Sequence, residues 1–384
     1  MRFLCALVLL VAVSGCIGTS SQFPPDNEGS AYKTAGSDCK GAGTVEFGAS
    51  PMRIEDISLI IPMGAMVGSH VTPIDHMYFS PAVFHSAPDT YNVYASADGI
   101  ITSIGHEPHF AENKYEKYRL EIRHTCDFYS IYNLLTSLSP ELQKITGGIQ
   151  PGGYYGKPIQ VKEGQLLGKI GGQTLDLSVN YDKVVLEGFI VPEHYAGEEW
   201  KIHTVDPFDY FKEPLRSELL AKNLRQVEPR GGKIDYDIEG RLVGNWFRDG
   251  IGYPRNYVRD SWKNHLSFVY DPVDPSHVIV SIGDYGGEPK QFGVKDNAPD
   301  PASISASTGL VRYELQQLDY VDENGEYWDR FSYDSGLKAV NQAIVHGVAL
   351  VQIIEARKIK FEAFPGKTSS EVSGFTSAAK IYER

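Results

Sequence analysis

The sequence predicts a mainly β chain: a first β-barrel or sandwich, one connecting helix, and a second β-barrel or sandwich. Three observations lead there. Tyr (23) and Gly (38) are plentiful, and they serve pleated strands and tight turns better than helices. Short alternating segments fill 45–211 and 233–384, with a single helical rhythm between them. A length of 384 residues exceeds one average domain and suits two.

Taken in order, the first element is an address. Arg2 precedes an apolar run over 3–13 and then Ser14-Gly15-Cys16. The run is too short to span a bilayer and has the form of a signal-peptide core over 1–15. Small residues directly before Cys16 resemble a lipobox, which implies lipidation of Cys16 and anchorage to the outer face of the cell membrane. An ordinary signal peptide with an incidental cysteine is the alternative. Residues 16–44, rich in Ser, Gly, Pro and Asp, would then be a flexible tether. With Cys5 removed and Cys16 acylated, Cys39 and Cys126 remain, and outside the cytosol two such cysteines are expected to pair. Two separate buried thiols are the alternative. The net charge of −13 repels phosphate backbones, and no basic patch offsets it, so nucleic acid is not an expected partner.

Strands follow. Residues 57–61 read as a buried strand. Asp98-Gly99 between 93–95 and 100–101 predicts a tight hairpin. Residues 118–124 alternate, as do 175–180, where Asp176, Ser178 and Asn180 share a face. Residues 161–170 read as turn then strand. Over 213–225, Leu215, Leu219, Leu220 and Leu224 form a helical stripe, ended by the Pro- and Gly-bearing linker 226–232. In the second unit strands are expected at 241–247, 265–270, 277–282, 310–318 and, as one long element, around 348–364. Residues 284–309 read as a long loop.

The stretch with most chemistry is Gly68-Ser69-His70-Val71-Thr72-Pro73-Ile74-Asp75-His76. Imidazole and carboxylate are the ligands Zn²⁺ takes when thiolates are absent. It is followed in order by Ala97-Asp98-Gly99-Ile100, by 120–124, by 129–134, by 161–171 and by Val205-Asp206-Pro207-Phe208-Asp209-Tyr210. In that order the motifs resemble the peptidase M23 family, the LytM-type zinc endopeptidases with a lipoyl-like β fold (the duplicated hybrid motif), over roughly 64–211. The resemblance implies three protein ligands to zinc and a bound water activated for attack on a peptide carbonyl. It takes the ligands from a His-x₃-Asp pair and the second His of a His-x-His strand.

This sequence departs from that pattern. Four residues, including Pro73, separate His70 from Asp75. Asp176 and Ser178 stand where the strand histidines belong, and Asn133 where an assisting histidine follows tyrosine. A rebuilt zinc site from His70, Asp75, His76, His124 and Asp176 is one expectation. No metal at all, with His124 a satisfied core histidine, is the weightier one. The same Asp-Gly and Glu-Gly-Gln motifs resemble lipoyl carriers and membrane-fusion adaptors, but the hairpin carries no lysine and the chain has no heptad run. Gly244-Asn245-Trp246 echoes the start of lipocalin barrels, with Trp246 read as core. Asp260, Trp262 and His265 are candidates for lining a site. The leading expectation is a lipid-anchored surface protein that binds or scaffolds an envelope protein, peptide or glycan. The alternatives are a zinc endopeptidase with altered ligands and a C-terminal unit that binds a glycan or small ligand.

Overall fold

The computed structural model describes residues 39–107, 115–253 and 260–384. The expected signal peptide and Cys16 lie outside these residues. The chain is mainly β, and it divides into a two-sheet unit and a closed barrel.

The first unit contains β1 (Ile57–Ile61), β2 (Met77–Pro81), β3 (Tyr91–Tyr94), β4 (Gly99–His106), β5 (Tyr118–Arg123) and β6 (Phe128–Leu135). After β7 (Ser137–Leu138) and helix α1 (Pro140–Thr146) come β8 (Tyr154–Tyr155), β9 (Ile159–Val161), β10 (Leu166–Ile170), β11 (Leu175–Tyr181) and β12 (Thr204–Val205). The larger sheet runs β1-β2-β11-β6-β5-β4-β8, with β12 on β11 and β9 on β4, and the smaller runs β3-β10-β7. Apolar side chains of both sheets, among them Val93, Ile101, Leu120, Tyr132, Leu167 and Leu177, form one core.

The expected 93–101 hairpin does not form. β3 pairs with β10, whereas β4 pairs with β5 and β9. Asp98 instead stitches the crossing between sheets, its carboxylate accepting from the Glu163 amide at 2.9 Å and Lys162 Nζ at 2.8 Å. Gly99 is required by close approach: a Cβ there would lie 2.7 Å from Ile122 Cγ2 and 2.9 Å from the Arg123 carbonyl oxygen.

The leucine stripe forms helix α2 (Leu215–Leu220), shorter than the expected 213–225, with Leu219 and Leu224 buried. Helix α1 is an addition to the one helix expected. Its markers are local: Ser139 Oγ accepts from the Leu142 amide at 3.3 Å, Pro140 opens the helix, and Gly147 ends it in the left-handed conformation.

The second unit is a closed antiparallel barrel of eight strands in chain order: β13 (Gly244–Arg248), β14 (His265–Tyr270), β15 (Val278–Tyr285), β16 (Glu288–Val294), β17 (Val311–Val321), β18 (Lys338–Glu355), β19 (Lys358–Pro365) and β20 (Lys380–Glu383). Two sequence readings are corrected. The expected loop 284–309 contains β16, because Gly286 and Gly287, both at positive φ, turn the chain back onto β15. The single long strand around 348–364 is β18 and β19, paired across a tight turn with Gln352 opposite Lys360. The lumen is filled by Trp246, Leu266, Phe268, Val280, Tyr313, Phe361 and their neighbours.

Period-2 alternation explains how the units join. On β13, Trp246 enters the barrel core while Phe247, on the other face, joins the core of the first unit. Asn245, also outward-facing, donates to the Tyr195 hydroxyl at 3.0 Å and accepts from Ser267 Oγ at 2.9 Å. Beyond the barrel, the β17–β18 ribbon leans on β1, where Leu337 packs with Leu59, Leu224 and Val273.

Candidate functional site

The site is assembled where the 64–76 loop meets β11, the 198–203 segment and the barrel wall. Backbone bonds from Gly64 N to the Ile74 carbonyl (2.8 Å) and from Ile74 N to the Ala65 carbonyl (3.2 Å) close the base of the loop. The barrel grips its tip, Gln291 Nε2 donating to the Gly68 carbonyl at 3.1 Å.

Strand β11 supplies the floor. Its pattern reads as one apolar and one polar face, yet both are buried: Asp176 is 1 % exposed, Ser178 5 % and Asn180 0 %. The segment around 200–204 covers the polar face, with Asn180 Nδ2 donating to the Trp200 carbonyl at 2.8 Å and to Thr204 Oγ1 at 3.2 Å.

Asp75, His76 and Asp176 come together. His76 Nδ1 lies 3.2 Å from Asp75 Oδ1, and its Nε2 lies 3.3 Å from Asp176 Oδ2. Thr174 Oγ1 donates to the other Asp176 oxygen at 2.9 Å. The His70 ring stands edge-on to His76, centroids 6.1 Å apart. His70 Nε2 and Asp75 Oδ2 are buried with no hydrogen-bond partner among the described residues.

His124 is engaged elsewhere. Its Nδ1 donates to the Asp98 carbonyl and its Nε2 accepts from Ser130 Oγ, each at 2.8 Å, beside the Phe47 ring. Burial holds its pKa down at about 4. Both of its ring nitrogens are thus engaged within the core. Asn133 faces Asp176 across the β6–β11 ladder, but its Oδ1 accepts from the Leu134 amide at 2.9 Å, next to a Leu134 backbone at φ 68°.

Sequence reasoning misses the central cation. Lys201 is 3 % exposed, and its Nζ lies 5.6 Å from the Tyr253 ring centroid. Tyr253 and Thr72 share a short hydroxyl–hydroxyl bond, and the His265 ring lies 4.7 Å from that of Tyr253. No motif marks Lys201. The one legible signal is His265, which the barrel wall delivers to this seam in buried form.

Charge in this enclosure is mutually supported. Burial opposes the Lys201 ammonium, but Tyr253, Asp75 and Glu198 outweigh it and raise its pKa. Burial likewise opposes the Asp75 carboxylate, and Lys201 with His76 overcomes this, holding it well below the usual range. Glu198 is pushed up to about 7 by burial and by Asp75, with Lys201 only partly offsetting them. Burial, reinforced at His70 by the neighbouring His76 and then Lys201 and at His265 by Lys201, depresses both rings to about 3. Burial lifts Tyr253 to about 12.

The donor set does not fit zinc. Ser178 offers only a neutral hydroxyl, and both ring nitrogens of His124 are committed elsewhere. Among the described residues no group of three or more His, Cys, Asp or Glu is arranged to hold a metal ion.

The other sequence-predicted pairing is present: Cys39 and Cys126 form a disulfide with Cα atoms 4.9 Å apart. It fastens 39–44 to the β5–β6 turn, where Cys126 N donates to the Gly41 carbonyl and Gly43 N to Asp127. The part of the expected tether from Cys39 onward is thus bound to the body. No described helix is long and apolar enough to cross a membrane.

No family model matches the chain, and no curated protein matches it. Among solved structures it is similar to a chain of the SpoIIQ-SpoIIIAH pore forming complex, at 14% identity and a TM-score of 0.28, over 45% of this chain and 96% of that one.

Proposed function

We propose that this is an exported, lipid-anchored envelope protein whose first β unit is M23-like but does not hydrolyse peptides, and which binds or scaffolds an envelope protein, peptide or glycan. The observation that carries this reading is closure of the candidate site. Asp75, Asp176 and Thr72 are all buried, and the Tyr253 hydroxyl bonds that of Thr72. Hydrolysis needs a scissile carbonyl within contact distance of an activated water. Asp75 is 6 % and Asp176 1 % exposed, so little of either carboxylate is open to a peptide strand.

One observation favours the zinc endopeptidase reading: His70 Nε2 and Asp75 Oδ2 are buried without hydrogen-bond partners among the described residues, and a ligand would satisfy both. Passing cell-wall peptides and glycans over the immobilised full chain, with zinc supplied, separates the two. The binding reading expects retarded, intact fragments. Shortened peptides whose release stops on chelation establish the endopeptidase instead. The anchor is tested by metabolic labelling with a radioactive fatty acid, where Cys16→Ala is expected to abolish incorporation.

A further inference from the structure

We propose that the tip of the β17–β18 ribbon, residues 322–335, is a docking surface for a lysine- or arginine-bearing segment of a partner protein. The proposal rests on the binding reading above and adds to it a place and a partner chemistry.

The ribbon continues past the barrel as far as Val321 opposite Lys338. One side of it is seated on the first unit. Trp328 and Leu337 pack with Leu59 and Leu224, and the Phe331 ring lies 5.6 Å from that of Phe84. Trp328 is held there by its amide donating to the Tyr320 carbonyl at 3.0 Å and its Nε1 to the Ser332 carbonyl at 2.8 Å. Tyr327 precedes it, in a bridge with Val321, and faces the other way because neighbouring side chains on extended backbone alternate. It is 67 % exposed. Val83, next to Phe84, and Tyr333, two residues beyond Phe331, are 59 % and 38 % exposed. The outer side is thus an uncovered aromatic and apolar surface on a firmly seated arm.

Charge selects the occupant. Over 322–335 the carboxylates of Asp322, Glu323, Glu326, Asp329 and Asp334 stand against Arg330 alone, and Arg330 is paired with Asp319 outside that span. Glu323 and Glu326 are exposed and form no ion pair among the described residues. Such a surface repels itself, and a cation supplied from outside relieves the repulsion. A tyrosine face adds a second attraction for an ammonium or guanidinium, and its ring body buries apolar stem. A neutral glycan would use the rings and leave the carboxylate charge unanswered, so the combination favours a cationic peptide. The tip also meets its partner in a fixed shape. Asp322 Oδ1 accepts from the Asn324 and Glu326 amides, each at 2.9 Å, and Asp329 Oδ1 from those of Phe331 and Ser332 at 2.8 and 2.9 Å. Little backbone freedom is then lost on docking.

The experiment titrates the full chain into a labelled synthetic peptide of alternating lysine and leucine and follows fluorescence anisotropy. Saturable binding is expected, weakening as ionic strength rises from about 0.05 to 0.5 M. Glu323→Gln combined with Glu326→Gln is expected to weaken it about three- to tenfold, and Tyr327→Ser by a similar factor. All three side chains are exposed, so the variants are expected to keep the wild-type Tm. Glu288→Gln combined with Glu355→Gln makes the same change in net charge at exposed barrel positions and should leave the affinity as it was. Absence of saturable binding overturns the proposal. So does equal weakening by the two charge pairs, which would assign binding to general acidity, or an unchanged affinity in Tyr327→Ser. Binding of a neutral chitin oligosaccharide, lost in Tyr327→Ser, with no binding of the peptide, gives the tip to a glycan and overturns it too. Intact cell-wall fragments retained equally by wild type and tip variants would leave the binding reading standing while this inference fails. Shortened fragments would remove that reading whatever the tip binds.

Discussion

At the scale of single residues, the groups that matter most are buried and ionisable. Arg384 is the clearest. Its side chain is 1 % exposed, lies 4.1 Å over the Trp246 ring, and donates to Asp237 at 3.3 Å and to the carbonyls of Ile238, Arg241 and Val243. Arg384→Ala strands Asp237 and three carbonyls at the end of the barrel, and the expected loss is about 3–5 kcal/mol, read from urea denaturation. Arg384→Lys restores the charge but not the planar fork, so it is expected to recover only part.

The pH response is a sum of groups of opposite sign. His70 and His265, near 3, and His124, near 4, sit below their ordinary 6.5. The unfolded chain binds more protons there, so these rings cost stability as pH falls from 6.5 towards 3. Glu198, near 7, and Asp206, Asp237 and Asp271, each near 6, work the other way, because burial lifts them above the ordinary carboxylate range. Their stabilisation is present at acid pH and is lost as pH rises through those values. The contribution of one group is therefore read as a difference between variant and wild type. Glu198→Gln removes a group that titrates from 4.5 unfolded to about 7 folded. Relative to wild type, the variant is expected to gain roughly 2–3 kcal/mol between about pH 5 and pH 8, measured from urea midpoints. A difference that stays constant across that window would show that Glu198 does not titrate differently on folding.

At the scale of elements, the disulfide joins residues separated by 87 positions. Reduction, or Cys126→Ala, is expected to cost about 2–4 kcal/mol, seen as a lower urea midpoint. What is legible at this scale depends on how local the signal is. Strands β1, β5, β11 and β14 announce themselves by alternation or by an apolar run. The Asp98-Gly99 hairpin fails because partner choice is not local: Val93 pairs with Gly168, a register that turn chemistry cannot encode. Strand β16 escapes notice because Glu288, Pro289 and Lys290 mask its apolar residues, although Gly286-Gly287 is a legible turn. In the site, the His70, Asp75 and His76 cluster is visible because its members are neighbours in sequence. Lys201 and Tyr253 reach it only through tertiary packing, so nothing in their local context marks them.

At the scale of the whole molecule, the two units share a core through Phe247 and a polar seam through Asn245, Tyr195 and Ser267. Calorimetry of the full chain is accordingly expected to show one cooperative transition. Phe247→Ala should lower stability by about 3–5 kcal/mol, since the cavity opens in the shared core. It should also split the transition in two. Two well-separated transitions in the wild type would mean that the seam contributes little.

The covalent link between Cys39 and Cys126 also decides how the molecule carries mechanical load. A pull applied anywhere before Cys39 passes through the sulfur bridge into the β5–β6 turn and onward, so residues 40–125 form a bypass that bears no tension. Strands β1 to β5 lie inside that bypass, and so do His70, Thr72 and Asp75. Drag on the N-terminal side would therefore leave the 64–76 loop in register with the barrel, and stretching would first load the chain beyond Cys126.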